Sequence, residues 1–331
     1  MPIASPVRFG LISGESLISL GDIQSARQRI QGRVSRTPLV SSATLTGRLG
    51  AQVYLKLELF QKTGAFKVRG AFNKALSIPA EQRGCGLVAV SGGNHAQAVA
   101  YVATQLGLPS VILMPEKTPR NYIEATRGYG AEVVLVQNAT VAFERIAAYE
   151  SQGWTSIHPF DDPLVMAGQG TVGLEIVEDL PDVTDIVVSI GGGGFIGGVA
   201  TAVKSLRPQT RVWGVETEGA DAMARALAAG RPVHLDAITS VARTLGAPEV
   251  SVRTLELTRK HVESVTVVPD REAVAALRFL LERAKVLAEP AASCTLAAAE
   301  RLRDRFAKDS RLVLVLCGGN VAVEDLCAYK M

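Results

Sequence analysis

The run D-I-V-V-S-I-G-G-G-G-F-I-G-G, from Asp185 to Gly198, decides the fold class. A short apolar, β-branched stretch passes straight into glycine and then into a helix-forming segment. That is the strand, turn and helix of a buried parallel sheet. Consecutive glycines from Gly191 to Gly194 cost conformational entropy, so the backbone there needs a close approach or a positive φ. A phosphate at the following helix N-terminus answers that need. Close packing of the helix onto the sheet accounts for Gly197 and Gly198 better than for the first four. The loop also satisfies G-x-G-x-x-G through Gly192, Gly194 and Gly197. Glu216 follows the next strand at about the spacing of a ribose-binding acid. An NAD-dependent oxidoreductase is therefore one reading of this loop.

Working outward, the same alternation recurs. Apolar β-rich runs stand at 52–57, 86–91, 110–114, 132–136, 185–190, 211–215 and 311–317. Alanine-rich helical segments fill intervals such as 94–106, 119–129 and 140–152. A helix begins between Ser19 and Asp22 and ends near Gly32, before an extended segment at Thr37. The first dozen residues read as a loose arm. Short strands alternating with amphipathic helices predict an α/β protein with two doubly wound open sheets. The ligand cleft belongs between them, at the carboxyl ends of the strands. We expect a large cofactor-binding domain from residues 1–57 plus 154–331 and a small substrate-side domain from 58–153.

The chain has 331 residues, 47% of them apolar, and a formal net charge of +3. That composition excludes general disorder, and no basic block or aromatic-basic stripe favours nucleic acid. No apolar run is long enough to span a bilayer, and the N-terminus lacks the order of a signal peptide. Cys85, Cys294, Cys317 and Cys327 form no C-x-x-C pair, which points to a reducing cytoplasm. The four histidines show no metal-ligand spacing.

Three further features carry chemistry. Lys67, in T-G-A-F-K-V-R-G-A, has an aromatic neighbour and flanking glycines, as expected of a half-buried amine. Desolvation lowers the pKa of such an amine and makes it a nucleophile, although a lysine near a turn can also snorkel to water. The run S-G-G-N-H-A-Q-A from Ser91 ends a strand and opens a helix. It reads as an anion site or as a tight turn capped by Asn94. C-G-G-N at Cys317 ends another buried strand, and its thiol suits either a heteroaromatic nitrogen or ordinary burial. A dehydrogenase explains one of these clusters. A pyridoxal phosphate site, with a Schiff-base lysine, a phosphate cradle and a partner for the ring nitrogen, explains them all.

The motifs together resemble the serine/threonine dehydratase and serine racemase family of fold-type II (tryptophan synthase β-like) pyridoxal phosphate enzymes. The matching text is K-L-E-L-F-Q-K-T-G-A-F-K-V-R-G-A-F-N from Lys56, S-G-G-N-H-A-Q-A from Ser91, H-P-F-D-D-P-L-V-M-A-G-Q-G-T from His158, the glycine run from Gly191, and C-G-G-N-V from Cys317. The resemblance implies pyridoxal 5'-phosphate in the interdomain cleft and a homodimer. It implies that Lys67 forms the Schiff base and moves protons at Cα, while Phe66 packs on the ring. Asn94 contacts the ring hydroxyl, Gly191, Gly192, Gly193 and Gly194 hold the phosphate, and Cys317 meets the ring nitrogen. Ser91, Gly92, Asn94 and His95 receive the substrate carboxylate. A neutral thiol at the ring nitrogen limits the electron sink and favours loss of a β-hydroxyl over transamination. The implied product is a 2-oxo acid with ammonia.

The chain also departs from that pattern. Serine racemases carry a serine where Gly92 stands, so dehydration is expected to dominate racemisation. Glu216 and the Ala220 carbonyl match two family metal ligands, but Ala222 takes the third place and Asp221 is one residue off; no metal is expected. Glu216 then reads as a solvated strand-end acid. Serine racemases place an arginine about where Phe143 stands here. Arg243, in I-T-S-V-A-R-T-L-G, is a candidate for a substrate contact in its stead, against the ordinary reading of a surface arginine. Larger substrates such as phenylserine or hydroxyaspartate therefore stand beside serine and threonine. The chain stops soon after C-G-G-N-V, which suggests a catabolic enzyme without a regulatory domain.

Overall fold

A computed structural model describes residues 17–137 and 139–329, leaving aside the side chains of Gln82, Ala139, Thr140 and Phe143. The expected N-terminal arm and the Phe143 comparison lie outside these described residues. Ten strands form: β1 (Leu39–Ser41), β2 (Gln52–Leu57), β3 (Leu87–Val90), β4 (Ser110–Pro115), β5 (Glu132–Val136), β6 (Thr155–Ser156), β7 (Asp185–Ser189), β8 (Arg211–Thr217), β9 (Ser264–Val268) and β10 (Arg311–Leu316). They make a six-stranded sheet in the order β1-β2-β10-β7-β8-β9 and a four-stranded sheet in the order β5-β4-β3-β6. Apart from the antiparallel β1–β2 pair, neighbours run parallel.

Burial on both faces explains the unbroken apolar runs. In β3, Leu87 and Ala89 join the core under the helix Asn94–Gln105, while Val88 and Val90 face the core that includes Ala142. In β4, Ile112 and Met114 take the first side and Val111 and Leu113 the second. Period-two alternation thus feeds two apolar cores, so no polar alternation survives in the sequence.

The four-stranded sheet continues past residue 153, where the small domain was expected to end: β6 pairs with β3 through Leu87–Thr155 and Val88–Ser156. Two residues between Trp154 and Ile157 are too few to read as a strand from their pattern. The edge strand β9 was likewise not anticipated, whereas β1 falls on the extended segment expected at Thr37. β9 has three half-buried residues and one exposed, so its pattern is diluted.

The helix Leu20–Ile30 begins where expected, with a Ser19–Asp22 capping box. The helices Pro163–Asp179 and Gly194–Leu206 pack closely because their contact is lined with glycine. A Cβ on Gly198 would collide with the Met166 carbonyl, and one on Gly173 would meet the Val199 carbonyl at 2.7 Å. Close packing is therefore the role of Gly198, against a neighbouring helix and not onto the sheet as expected.

A buried ionic cluster joins four segments beneath the site. Arg69 Nε and Nη2 donate to Glu58 at 2.8 Å each, and Arg69 Nη1 donates to Glu175 at 2.7 Å. Lys56 Nζ donates to Glu175 at 2.6 Å and to the Thr37 carbonyl at 2.7 Å. The cluster ties β2, the turn after it, the helix Val68–Ser77 and the helix Pro163–Asp179 together. No helix among the described residues is long and apolar enough to cross a membrane.

Candidate active site

Parallel strands deliver their carboxyl ends to one place, a cavity of ≈430 Å³. β3 brings Ser91 to His95, β7 brings Gly191 to Gly194, β10 brings Cys317, and Lys67 precedes the helix Val68–Ser77. The residues expected to meet cofactor or substrate line this cavity, Arg243 included, whereas Glu216 does not.

Lys67 Nζ donates to the Pro159 carbonyl at 2.7 Å and lies 5.1 Å from the centroid of the Phe66 ring. Burial pulls its pKa down to about 8, against the pull of Cys317 and Glu289 upward. A useful fraction of neutral amine is therefore present near physiological pH. Lys67 is half-buried, and the snorkelling alternative fails because its amine turns into the cavity and is held there by the Pro159 carbonyl. Phe66 stacks on Phe195, the centroids 3.8 Å apart and the planes at 16°, so the chain supplies an aromatic pair beside the lysine.

The glycine loop is constrained at each step. Gly193 has φ of 89°, and a Cβ there would meet Met223 at 2.7 Å and Thr254 at 2.8 Å. A Cβ on Gly192 would strike the Phe160 ring, and one on Gly194 the Phe160 carbonyl. Phe160 is set by the H-P-F-D-D-P turn: its N–H and that of Asp161 donate to His158 Nδ1, and Asp162 caps the helix Pro163–Asp179. No side chain caps the helix Gly194–Leu206, so its N-terminal N–H groups remain for an anion.

On the opposite sheet, Gly93 rather than Asn94 holds the cap position of the helix Asn94–Gln105. Ser91 Oγ accepts from Gly93 N at 3.1 Å. Asn94 is turned elsewhere: Oδ1 accepts from Asn320 at 2.8 Å and Nδ2 donates to Glu289 at 2.8 Å. His95 Nε2 pairs with the Ile157 carbonyl at 2.8 Å, and burial with the nearby Lys67 charge depresses its pKa to about 3. The imidazole is neutral, with Nε2 as donor and a buried, unpartnered Nδ1. A Cβ on Gly92 would stand 2.7 Å from Thr118 Oγ1, so Thr118 fills the space a side chain would need.

Cys317 accepts from Ser189 Oγ at 3.4 Å, and burial together with the Glu289 charge pushes its thiol up to about 12. It stays protonated. Arg243 is exposed at the cavity rim, and its guanidinium has no hydrogen-bond or ion-pair partner among the described residues.

Two acids change the reading of the sequence. Glu216 is fully buried, not solvated, and accepts from Met223 N at 2.9 Å and Ala224 N at 2.8 Å. It caps a helix and is committed away from any ribose, which removes the structural basis of the NAD reading. Among the described residues no group of His, Cys, Asp or Glu is arranged to hold a metal ion. Glu289 was not anticipated at all. It lies 2% exposed in the cavity wall, accepts from Asn94 and from Thr244 Oγ1 at 2.9 Å, and burial pushes its pKa up to about 7. Its only sequence signal is an acid before Pro290 at a helix start, which reads as an ordinary first-turn charge.

Comparison with known proteins agrees with this geometry. The model of the family described as pyridoxal-phosphate dependent enzyme matches residues 30–318. The chain is 44% identical to an L-threonine ammonia-lyase of Geobacter sulfurreducens, over 92% of this chain and 76% of that one. It is 37% identical to an L-threo-3-hydroxyaspartate ammonia-lyase of a Pseudomonas species, over 93% of this chain and 97% of the relative. The structure of maize serine racemase superposes with a TM-score of 0.90 at 34% identity, covering 95% of this chain and 97% of that one. The cavity fits such a cofactor: a buried amine, an uncapped helix terminus behind glycines that tolerate no Cβ, and a protonated thiol share its wall.

Proposed function

Because the chain belongs to the family of pyridoxal-phosphate dependent enzymes, we propose that it is a dehydratase converting a β-hydroxy amino acid to a 2-oxo acid and ammonia. When bound, pyridoxal 5'-phosphate supplies an electron sink that makes the Cα proton removable and lets the β-hydroxyl depart. The single observation that carries the reading is Lys67. It is a buried amine with a depressed pKa, sharing one cavity with the glycine-lined helix terminus and Cys317.

Lys67 holds the cofactor covalently and, once displaced by the substrate amine, takes the Cα proton at Nζ. The N–H groups of Gly191 to Gly194 hold the phosphate at the positive end of the helix Gly194–Leu206. Phe66, with Phe195 behind it, packs against the ring. Asn94 donates to the ring hydroxyl through its second N–H. Cys317 meets the ring nitrogen as a neutral thiol, which restrains the electron sink and favours elimination. Ser91, Gly92, Asn94 and His95 receive the substrate carboxylate at the open N-terminus of the helix Asn94–Gln105, His95 acting as a neutral group. Arg243 faces the β-substituent. Its unpartnered guanidinium favours a substrate with a second acidic group, such as hydroxyaspartate, beside serine and threonine.

We divide the chain into a large unit of 17–57 plus 157–329 and a small unit of 58–156, moving the boundary to include β6. A cytoplasmic homodimer completes the proposal. The free state of all four cysteines supports a reducing compartment, and light scattering tests the dimer. The test of function is colour and product. Purified protein should show a visible cofactor band that Lys67→Ala removes. It should release 2-oxo acid and ammonia from at least one of serine, threonine, hydroxyaspartate or phenylserine. A colourless protein that cannot be reconstituted with pyridoxal phosphate ends the proposal.

A further inference from the structure

Glu289 is the one cavity-lining carboxylate that the scheme above leaves without a task and that is nearly removed from solvent, 2% exposed. Its two oxygens are unequal. Oε1 accepts from Asn94 Nδ2 at 2.8 Å and from Thr244 Oγ1 at 2.9 Å, whereas Oε2 is buried with no partner. Gly318 leaves room for this arrangement: a Cβ there would stand 2.9 Å from Glu289 Oε1 and 3.1 Å from Asn94 Nδ2. A purely structural acid at a helix start would sit in water or satisfy both oxygens, because a buried unpaired polar atom costs about 1–3 kcal/mol.

The amide of Asn94 is clamped from both sides. Asn320 Nδ2 donates to its Oδ1 at 2.8 Å, which fixes which end of the amide is oxygen, and Glu289 takes one of its two N–H groups. One N–H remains. The clamp brings together the small sheet's helix Asn94–Gln105, the segment carrying Thr244, and the segment after β10.

We propose that Glu289 is a positioning residue. It fixes the Asn94 amide so that the remaining N–H meets the cofactor's ring hydroxyl, and its ionisation sets the strength of that contact. This inference rests on the pyridoxal phosphate reading above. A carboxylate polarises the amide it accepts from more strongly than a carboxylic acid does. Two N–H groups on one nitrogen oppose each other, so deprotonated Glu289 grips the amide more firmly but makes its outer N–H a weaker donor, and protonation does the reverse.

The groups facing Glu289 come from every side. Lys67 and Cys317 feel its charge across the cavity. Tyr122 and Tyr329 feel it from the helix Arg120–Gly128 and the C-terminal segment. Arg243 and Asp325 line the small recess that Glu289 shares with them. Burial is the largest influence on its proton; the hydrogen bonds from Thr244 and Asn94, the nearby backbone N–H of Asn320 and the Lys67 charge all favour the charged form.

Glu289→Gln tests this, because glutamine keeps the shape and an acceptor for Asn94 and Thr244. In the wild-type holoenzyme the visible band should shift with a single midpoint as Glu289 titrates. In Glu289→Gln the band should persist while that midpoint disappears, and kcat should fall roughly tenfold or more with KM little changed. Asn94→Ala should abolish the midpoint too. In cofactor-free protein, infrared difference spectra should show a carboxylic acid C=O signal that titrates near about 7 and is lost in the glutamine variant, leaving that of Glu216, which burial raises to about 8. That variant should also unfold at a higher temperature than wild type above neutral pH, the opposite of losing a structural acid. A midpoint that survives in Glu289→Gln, or a variant less stable than wild type above neutral pH, overturns this inference alone. A wild-type protein that forms no band overturns it together with the cofactor reading.

Discussion

Two sets of charges inside the protein behave in opposite ways, and Lys67 and Arg69, close neighbours in sequence, belong to one each. Arg69, Glu58, Glu175 and Lys56 are paired several times over. Burial works against the Arg69 guanidinium, but Glu58 and Glu175 outweigh it and hold it above its ordinary value. Glu175 is held below the usual carboxylate range in the same manner, Arg69 and Lys56 overcoming its burial. Two residues upstream of Arg69, Lys67 has only a carbonyl as a hydrogen-bond partner, and burial wins. Glu289 keeps one empty oxygen, and burial wins again. Pairing therefore separates charges that hold the scaffold from charges left near their switching point, where proton transfer is easiest at neutral pH.

The comparison can be broken at either end. Lys67→Ala should give the largest effect, a loss of turnover of more than roughly 1,000-fold, read by 2-oxo acid release, with the fold intact by circular dichroism. Arg69→Ala should do the reverse. It strands Glu58 and Glu175, and chemical denaturation should show a loss of about 3–5 kcal/mol. Gly193→Ala forces a side chain onto a backbone with φ of 89° and toward Thr254, so cofactor affinity should fall by roughly tenfold or more, measured by equilibrium titration.

The pH dependence of the cofactor-free protein sharpens the contrast. The folded Lys67 pKa is lowered from 10.5 to about 8, so its penalty is complete below 8 and fades as pH rises toward 10.5. Glu289 is raised from 4.5 to about 7, so its penalty is absent below 4.5 and complete above 7. Both act together between about 7 and 8. Thermal unfolding should therefore show Lys67→Met more stable than wild type at neutral pH, with the difference closing above pH 10.5. The smallest effect belongs to Arg243→Ala, which should raise KM for hydroxyaspartate and leave KM for serine nearly unchanged. Equal KM values for every substrate would remove Arg243 from the site.

Much of this was legible in the chain. β3, β4, β7 and β10 could be found because both their faces are buried, which leaves long β-branched runs. Lys67, the glycine loop and Cys317 could be found because a strand end or helix start places each next to its own motif. Glu289 could not, since its meaning lies in Asn94 and Thr244, which stand 195 and 45 residues away. Glu216 misled for the same reason. The spacing to the glycine loop suggested a ribose acid, while the N–H groups that claim it belong to the next helix. β6 was lost to brevity, and it moved the boundary between the two sheets.

Gly92 has a consequence for how such an enzyme changes over generations. Thr118 Oγ1 stands 2.7 Å from where a Cβ on Gly92 would sit. A single codon change to serine at that position meets an occupied space, and the hydroxyl it would add toward racemisation arrives with a clash. Thr118 is half-buried and the atom in the way ends its side chain, so the path from this sequence toward a racemase costs one substitution at Gly92 and one side-chain rotation at Thr118, with the loop backbone left in place.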